Sequence, residues 1–233
     1  RKYFSDNISN AIINYKDKEK ESLTIGLYGK WGSGKTSIVN MITEKLDEED
    51  KILIFNFEPW LFSNTEQLIT NFFKEFAQII KHNNTNQSQK LISLGTKLEA
   101  YASLFEPLSF IPEPSVSIFG QVSSKVLSSA GKTAKNFGNA YKKNISAIKK
   151  DIEEHLSALD KKIIIIIDDI DRLNNTEIKQ VFQLIKAFGN FPNTIYLASM
   201  DKDVVVNALS EVQNGDGNEY LEKIINVPID IPS

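Results

Sequence analysis

The chain has 233 residues, 41% of them hydrophobic, enough for one large domain or for a core carrying an inserted subdomain. Its formal charge of −3 argues against a general electrostatic grip on nucleic acid, although a local basic face is compatible with it. Cysteine is absent, which excludes disulfides, thiolate nucleophiles and cysteine-ligated zinc.

The chain starts at Arg1 rather than Met, as a fragment would, so the lack of a signal peptide carries no weight. Phe4, Ile8, Ala11, Ile12 and Tyr15 recur at helical intervals and predict a leading amphipathic helix. Leu23 to Tyr28 is an apolar run of strand type, and Lys35 to about Leu46 has helical spacing. Between them lies Gly29-Lys30-Trp31-Gly32-Ser33-Gly34-Lys35-Thr36, a complete G-x-x-x-x-G-K-[ST] pattern followed by Ser37. A strand feeding a glycine-rich turn into a helix start aims several backbone N–H groups and the positive helix end at one spot. Gly29, Gly32 and Gly34 allow positive φ and close backbone approach, so the turn can wrap a phosphate chain. Residues 29–37 are therefore the expected nucleotide-binding stretch. In it Lys35 reaches the β- and γ-phosphates, and the Thr36 hydroxyl ligates Mg²⁺.

After the acidic turn Asp47 to Asp50, Lys51 to Phe57 predicts a second strand, with Asn56 near its end as a contact for attacking water or for edge packing. Trp60 is expected as a packing anchor. Asn64 or Thr65 caps a helix reaching about Lys81, with Leu68, Phe72, Phe73, Phe76 and Ile79 facing inward. His82 and His155 read as solvated. The polar stretch His82 to Gln89 reads as a linker. Residues 90–146 have a different character: a possible helix over Leu91 to Leu104, breaks at Pro107, Pro112 and Pro114, and a Ser/Ala/Gly-rich tract. They are read as a mostly helical or irregular insertion between a first core part, 1–89, and a second, 147–233. Lys132 to Leu159 reads as a long charged helix, with Lys142, Lys143, Lys149 and Lys150 on a solvated face.

Lys162 to Ile167 reads as a strand whose all-apolar run Ile163 to Ile167 is tipped by Asp168 and Asp169, and that run is far too short to span a membrane. Paired acids at a strand's carboxyl end sit where open α/β sheets bind ligands. Asp168 would hold Mg²⁺ with Thr36, since Mg²⁺ takes few protein carboxylates beside substrate phosphates. Asp169 would direct and deprotonate water. Being shorter than glutamate, it suggests slow turnover. Asp171 and Arg172 form either a local ion pair or a charge-stabilising finger on the γ-phosphate, in this subunit or a neighbour. Helix Thr176 to Phe188, strand Thr194 to Ala198, helix Asp203 to Val212, a short helix over Glu219 to Ile225 and strand Asn226 to Ile231 follow. Ser199 or Asp201 is the expected polar residue beside the γ-phosphate. Alternating strands and helices imply a parallel sheet covered on both faces.

The phosphate loop, Phe55-Asn56-Phe57-Glu58-Pro59-Trp60-Leu61-Phe62-Ser63, Glu66-Gln67-Leu68 with Phe72-Phe73, Ile167 to Leu173, Asp201, and Tyr220 to Pro228 together resemble the KAP family of P-loop NTPases. The resemblance covers both ends of the chain and not the middle. It implies an α/β P-loop NTPase of the additional-strand, AAA-like type, with five mostly parallel strands, helices on both faces and a helical insertion. In many members that insertion carries transmembrane helices, and none of membrane length is present here. The resemblance also implies that a helical lid and an effector region belong beyond Ser233.

The resulting expectation is a Mg²⁺-dependent ATPase that binds ATP and hydrolyses it to ADP, with catalytic Lys35, Asp169 and Arg172. It would act as a conformational switch or assembly module of a larger cytoplasmic protein, partnered by itself or by its own further domains. Family members are often implicated in anti-phage defence. A nucleotide-dependent scaffold with negligible hydrolysis and a small-molecule kinase are the alternatives. The scarcity of arginine disfavours the kinase, and no guanine-reading motif supports GTP.

Overall fold

Five short apolar runs set the architecture. β-branched side chains crowd a helix but pack well on a pleated surface, and every one of these runs carries isoleucine. The computed structural model describes residues 1–16, 22–61, 68–82, 89–103, 145–188, 191–213 and 215–232. Each run becomes a strand: β1 Leu23–Tyr28, β2 Ile52–Phe57, β3 Lys162–Ile167, β4 Thr194–Met200 and β5 Val227–Asp230. The strands form one sheet in the order β2-β3-β4-β1-β5, and every pairing is parallel. β4 lies between the loop strand and the acidic strand, which is the additional-strand arrangement. Pro228 is tolerated because β5 is an edge strand.

The chain divides into two compact units, Arg1–Thr65 with Leu156–Ser233, and Glu66–His155. In the first, α1 Lys2–Asn14 and α2 Lys35–Asp47 cover one face of the sheet. Ile8, Ile12, Ile38, Ile42 and Leu46 pack there against Ile25, Leu27, Ile164, Ile166, Ile195 and Leu197. The alternate residue Tyr196 points to the other face, where its hydroxyl donates to Phe188 O at 3.4 Å. Phe188 ends α6 Asn175–Phe188, so the sheet is covered on both sides. α7 Lys202–Gln213 and α8 Gly217–Glu222 pack together. Lys162 Nζ donates to Ile12 O at 2.8 Å and Ile13 O at 2.5 Å, closing the C-terminal end of α1.

The second unit pairs α3 Leu68–His82 with α4 Gln89–Ser103. The stripe of α3 is Leu68, Phe72, Phe73, Phe76 and Ile80, with Phe73 edge-on to Tyr101 at 4.9 Å. Ile80, rather than the expected Ile79, is fully buried. Residues 145–157 form α5. His155 is not simply solvated: its Nε2 lies 2.9 Å from Ser93 Oγ and its Nδ1 lies 2.7 Å from Asp151 O. Lys150 and Glu154 are exposed, as a solvated face requires, but Lys149 is only partly exposed beside Glu153. The proposed cap at Asn64 or Thr65, the three prolines, Lys142, Lys143 and the helix over 132–144 lie outside the described residues.

Candidate nucleotide-binding site

β1 is buried from Thr24 onward and delivers the chain to the carboxyl edge of the sheet at Tyr28. Gly29 N–H donates to Met200 O at 3.1 Å, pinning the start of the loop to the end of β4. Ser33 N–H donates to Lys30 O at 3.0 Å, and Ile38 N–H to Gly34 O at 3.1 Å opens the helical ladder of α2. Gly32 and Gly34 have φ of +78° and +84°, a region that L side chains rarely adopt. Gly29 does not share that conformation, and its requirement is steric: a Cβ there would lie 2.4 Å from Ser33 Oγ. The loop thus folds as a backbone cradle at a helix start, whose first amides have no acceptor within the helix. Ser33 Oγ is buried without a hydrogen-bond partner among the described residues. A curved nest of free amides with an unsatisfied hydroxyl fits a polyphosphate.

Lys35 opens α2 with its side chain only 6% exposed. Nζ donates to Gly29 O at 3.0 Å and lies 3.5 Å from Asp171 Oδ2. Asp171 stands in the 3₁₀ turn Ile170–Arg172 that follows β3, so this ion pair joins the loop to the acidic tip of a strand two places away. The other Asp171 oxygen accepts from Asp201 N–H at 3.0 Å. Asp201 Oδ1 in turn accepts from Asp203 N–H at 3.1 Å, so its side chain serves the first turn of α7.

Asp168 follows β3 directly, and the register that pairs Ile167 with Ala198 sets it beside Ser199. The fully buried Ser199 donates its hydroxyl to Asp168 Oδ1, which also accepts Asp169 N–H at 2.9 Å. Asp169 adopts the left-handed conformation, φ 57° and ψ 36°, as cap of the 3₁₀ turn. Its Oδ2 lies 3.0 Å from Arg172 Nη2, and the Arg172 guanidinium lies over the exposed indole of Trp31 at 5.1 Å. Burial raises the Asp169 carboxyl above the ordinary aspartate range, and Asp168 raises it further; Arg172 opposes both.

Thr36 is exposed at the start of α2, and Asp168 is partly exposed at the same carboxyl edge. Together they offer a hydroxyl and a carboxylate, both hard oxygen donors. No cluster of three metal-binding side chains occurs among the described residues. That donor set fits Mg²⁺, which keeps water and phosphate oxygens rather than entering a closed protein cage. Three expectations are corrected nearby. Trp60 is half exposed, not a buried anchor, and Asn56 is exposed on the edge strand β2, not packed. The local ion pair of Arg172 is made with Asp169, not Asp171. A cavity of about 520 Å³ opens at the opposite edge of the sheet, lined by Glu48, Asp50, Lys51, Lys161 and Lys162 among others. These three lysines are engaged: Lys51 with Asp160, Lys161 with Asp50 O, Lys162 with α1.

Among solved structures the chain is similar to the *Aeropyrum pernix* ORC1 protein, solved in complex with DNA, at 10% identity and a TM-score of 0.48, covering all of this chain and 45% of that one. It is also similar to the *Aeropyrum pernix* ORC2 protein, solved as ADPNP-ADP complexes, at 9% identity and a TM-score of 0.43, over 99% and 46% of the two chains. A curated relative is the Phage T7 exclusion protein of *Escherichia coli* (strain K12), 26% identical over 98% of this chain. The chain spans only 32% of that relative's length. Among the described residues no helix is long and apolar enough to cross a membrane. The KAP family P-loop domain matches residues 1–233, and the chain belongs to that family.

Proposed function

We propose that this domain binds ATP with Mg²⁺ and hydrolyses it slowly, as a conformational switch or assembly module of a longer cytoplasmic protein that acts against phage. The observation that carries the reading is the Lys35–Asp171 ion pair of 3.5 Å, which unites the phosphate loop and the acidic strand tip in one site. The loop amides and Ser33 would bind the phosphates, and Lys35 would balance their charge. Thr36 and Asp168 would hold Mg²⁺, which supplies charge neutralisation on the phosphate oxygens. Ser199 orients Asp168. Asp169 would accept a proton from the attacking water, with one of its two oxygens, Oδ2, held by Arg172. That engagement, together with the short aspartate side chain, supports slow turnover. It also favours the second reading, a scaffold in which ATP fixes shape and hydrolysis is negligible. The defence role rests on the name of one relative that matches over part of its length.

Calorimetry and single-turnover phosphate release test both readings. Lys35→Ala should abolish tight ATP binding, and Asp169→Asn should retain binding while stopping release. Unchanged ATP binding in a folded Lys35→Ala protein defeats the assignment. Binding without release in the wild type selects the scaffold.

A further inference from the structure

Lysine and aspartate side chains are seldom buried unless paired, and Lys35 and Asp171 are 6% and 4% exposed. Among the described residues Lys35 Nζ has one other acceptor, Gly29 O at 3.0 Å, and a carbonyl does not balance an ammonium charge. Asp171 is fixed from behind, because its Oδ1 holds Asp201 N–H at 3.0 Å, where β4 passes into α7. The carboxylate is thereby anchored to the sheet edge while the ammonium rides on the loop. The 3.5 Å separation is long for a charge-assisted hydrogen bond, so the pair is held mainly by Coulomb attraction. We propose that Asp171 is a positioning residue for Lys35, an internal counter-ion that holds the phosphate-binding lysine in place in the nucleotide-free protein and yields it when phosphate arrives. This rests on the nucleotide reading of the loop.

Two consequences separate this role from packing. Without nucleotide, Asp171→Asn keeps an acceptor for Asp201 N–H but leaves a buried ammonium uncompensated. With nucleotide, phosphate replaces the lost charge, and no carboxylate competes with it. The experiment is calorimetric melting of the wild type, D171N, K35M and K35M/D171N, each with and without Mg-ADP, plus the ADP dissociation constants of the wild type and D171N.

Without nucleotide, D171N should melt on the order of 10 °C below the wild type. K35M/D171N, with neither charge, should melt above D171N. If D171N does not fold, folding of the double variant is the same expected result. With Mg-ADP, D171N should gain more than the wild type and bind ADP about tenfold more tightly. Losses that simply add in the double variant overturn the Asp171 role. Equal Mg-ADP gains and equal ADP constants overturn the hand-over to phosphate. A wild type whose melting and calorimetry show no response to Mg-ADP overturns the nucleotide reading and the hand-over with it. Additive losses beside a normal wild-type response overturn Asp171 alone.

Discussion

The hydroxyl of Ser199 donates to Asp168 Oδ1, tying the end of β4 to the end of β3 at the proposed metal-binding carboxylate. Ser199 is fully buried, so its hydroxyl has no water to exchange with. Residues that orient a ligating carboxylate typically influence metal affinity by 10- to 100-fold. Ser199→Ala should therefore raise the Mg²⁺ concentration for half-maximal turnover by about tenfold. Its stability cost should stay near 1 kcal/mol. A Mg²⁺ titration checks this, and an unchanged midpoint would make Ser199 a packing residue.

The proton affinity of Asp169 gives a pH prediction. Its carboxyl is raised by burial and by Asp168, and Arg172 opposes the rise. In the metal-free protein this carboxyl should take up its proton at a pH above the ordinary aspartate range. Arg172→Ala should move that titration to still higher pH. Although Asp169 is paired with Arg172, its stability sign is opposite to that of a carboxylate whose pKa is lowered by folding. The fold binds this proton more tightly than the unfolded chain, so the contribution of Asp169 grows as pH falls through its raised pKa. An NMR pH titration of the Asp169 carboxyl in the metal-free wild type and Arg172→Ala proteins tests the first claim.

Two loop glycines allow strain to be separated from crowding. Gly32 and Gly34 share a left-handed backbone, yet a Cβ on Gly32 meets nothing within 4 Å while one on Gly34 lies 2.4 Å from Arg1 Nη1. The arginine is long and can swing aside, so backbone strain should dominate in both. Gly32→Ala and Gly34→Ala should each lose about 1–2 kcal/mol in urea unfolding. A Gly34→Ala loss several times larger would assign Arg1 a fixed place against the loop.

Tyr28 ends β1, and burial and then Asp230 and Glu222 raise its pKa from 10.0 to about 12. Between those values the unfolded chain sheds this proton while the fold keeps it. Stability should therefore fall as pH rises from 10.0 towards about 12. Tyr28→Phe should flatten that slope, as thermal melts across the alkaline range would reveal.

The sheet was legible because isoleucine-rich runs have no other stable home, and the phosphate loop because glycine, lysine and threonine at fixed offsets have one physical use. Asp171 was not. Its neighbour Arg172 is adjacent in sequence, but a 3₁₀ turn brings residues three apart to one side, so Arg172 meets Asp169 and Asp171 faces Lys35. Trp60 and His155 were misjudged for a related reason. Residue type tells how costly exposure or burial is, not which neighbours the turn and the second helix will supply. The stripe of α3 announced a buried face in the same way, without naming α4 as its partner.

β4 behaves as a gauge block. All seven of its residues are buried, and it is clamped by backbone ladders to β1 on one flank and β3 on the other. One residue added or removed between Thr194 and Met200 would turn Ser199 to the opposite face and shift the carbonyl that grips Gly29. Tolerance to length change should thus be nearly absent in this one strand.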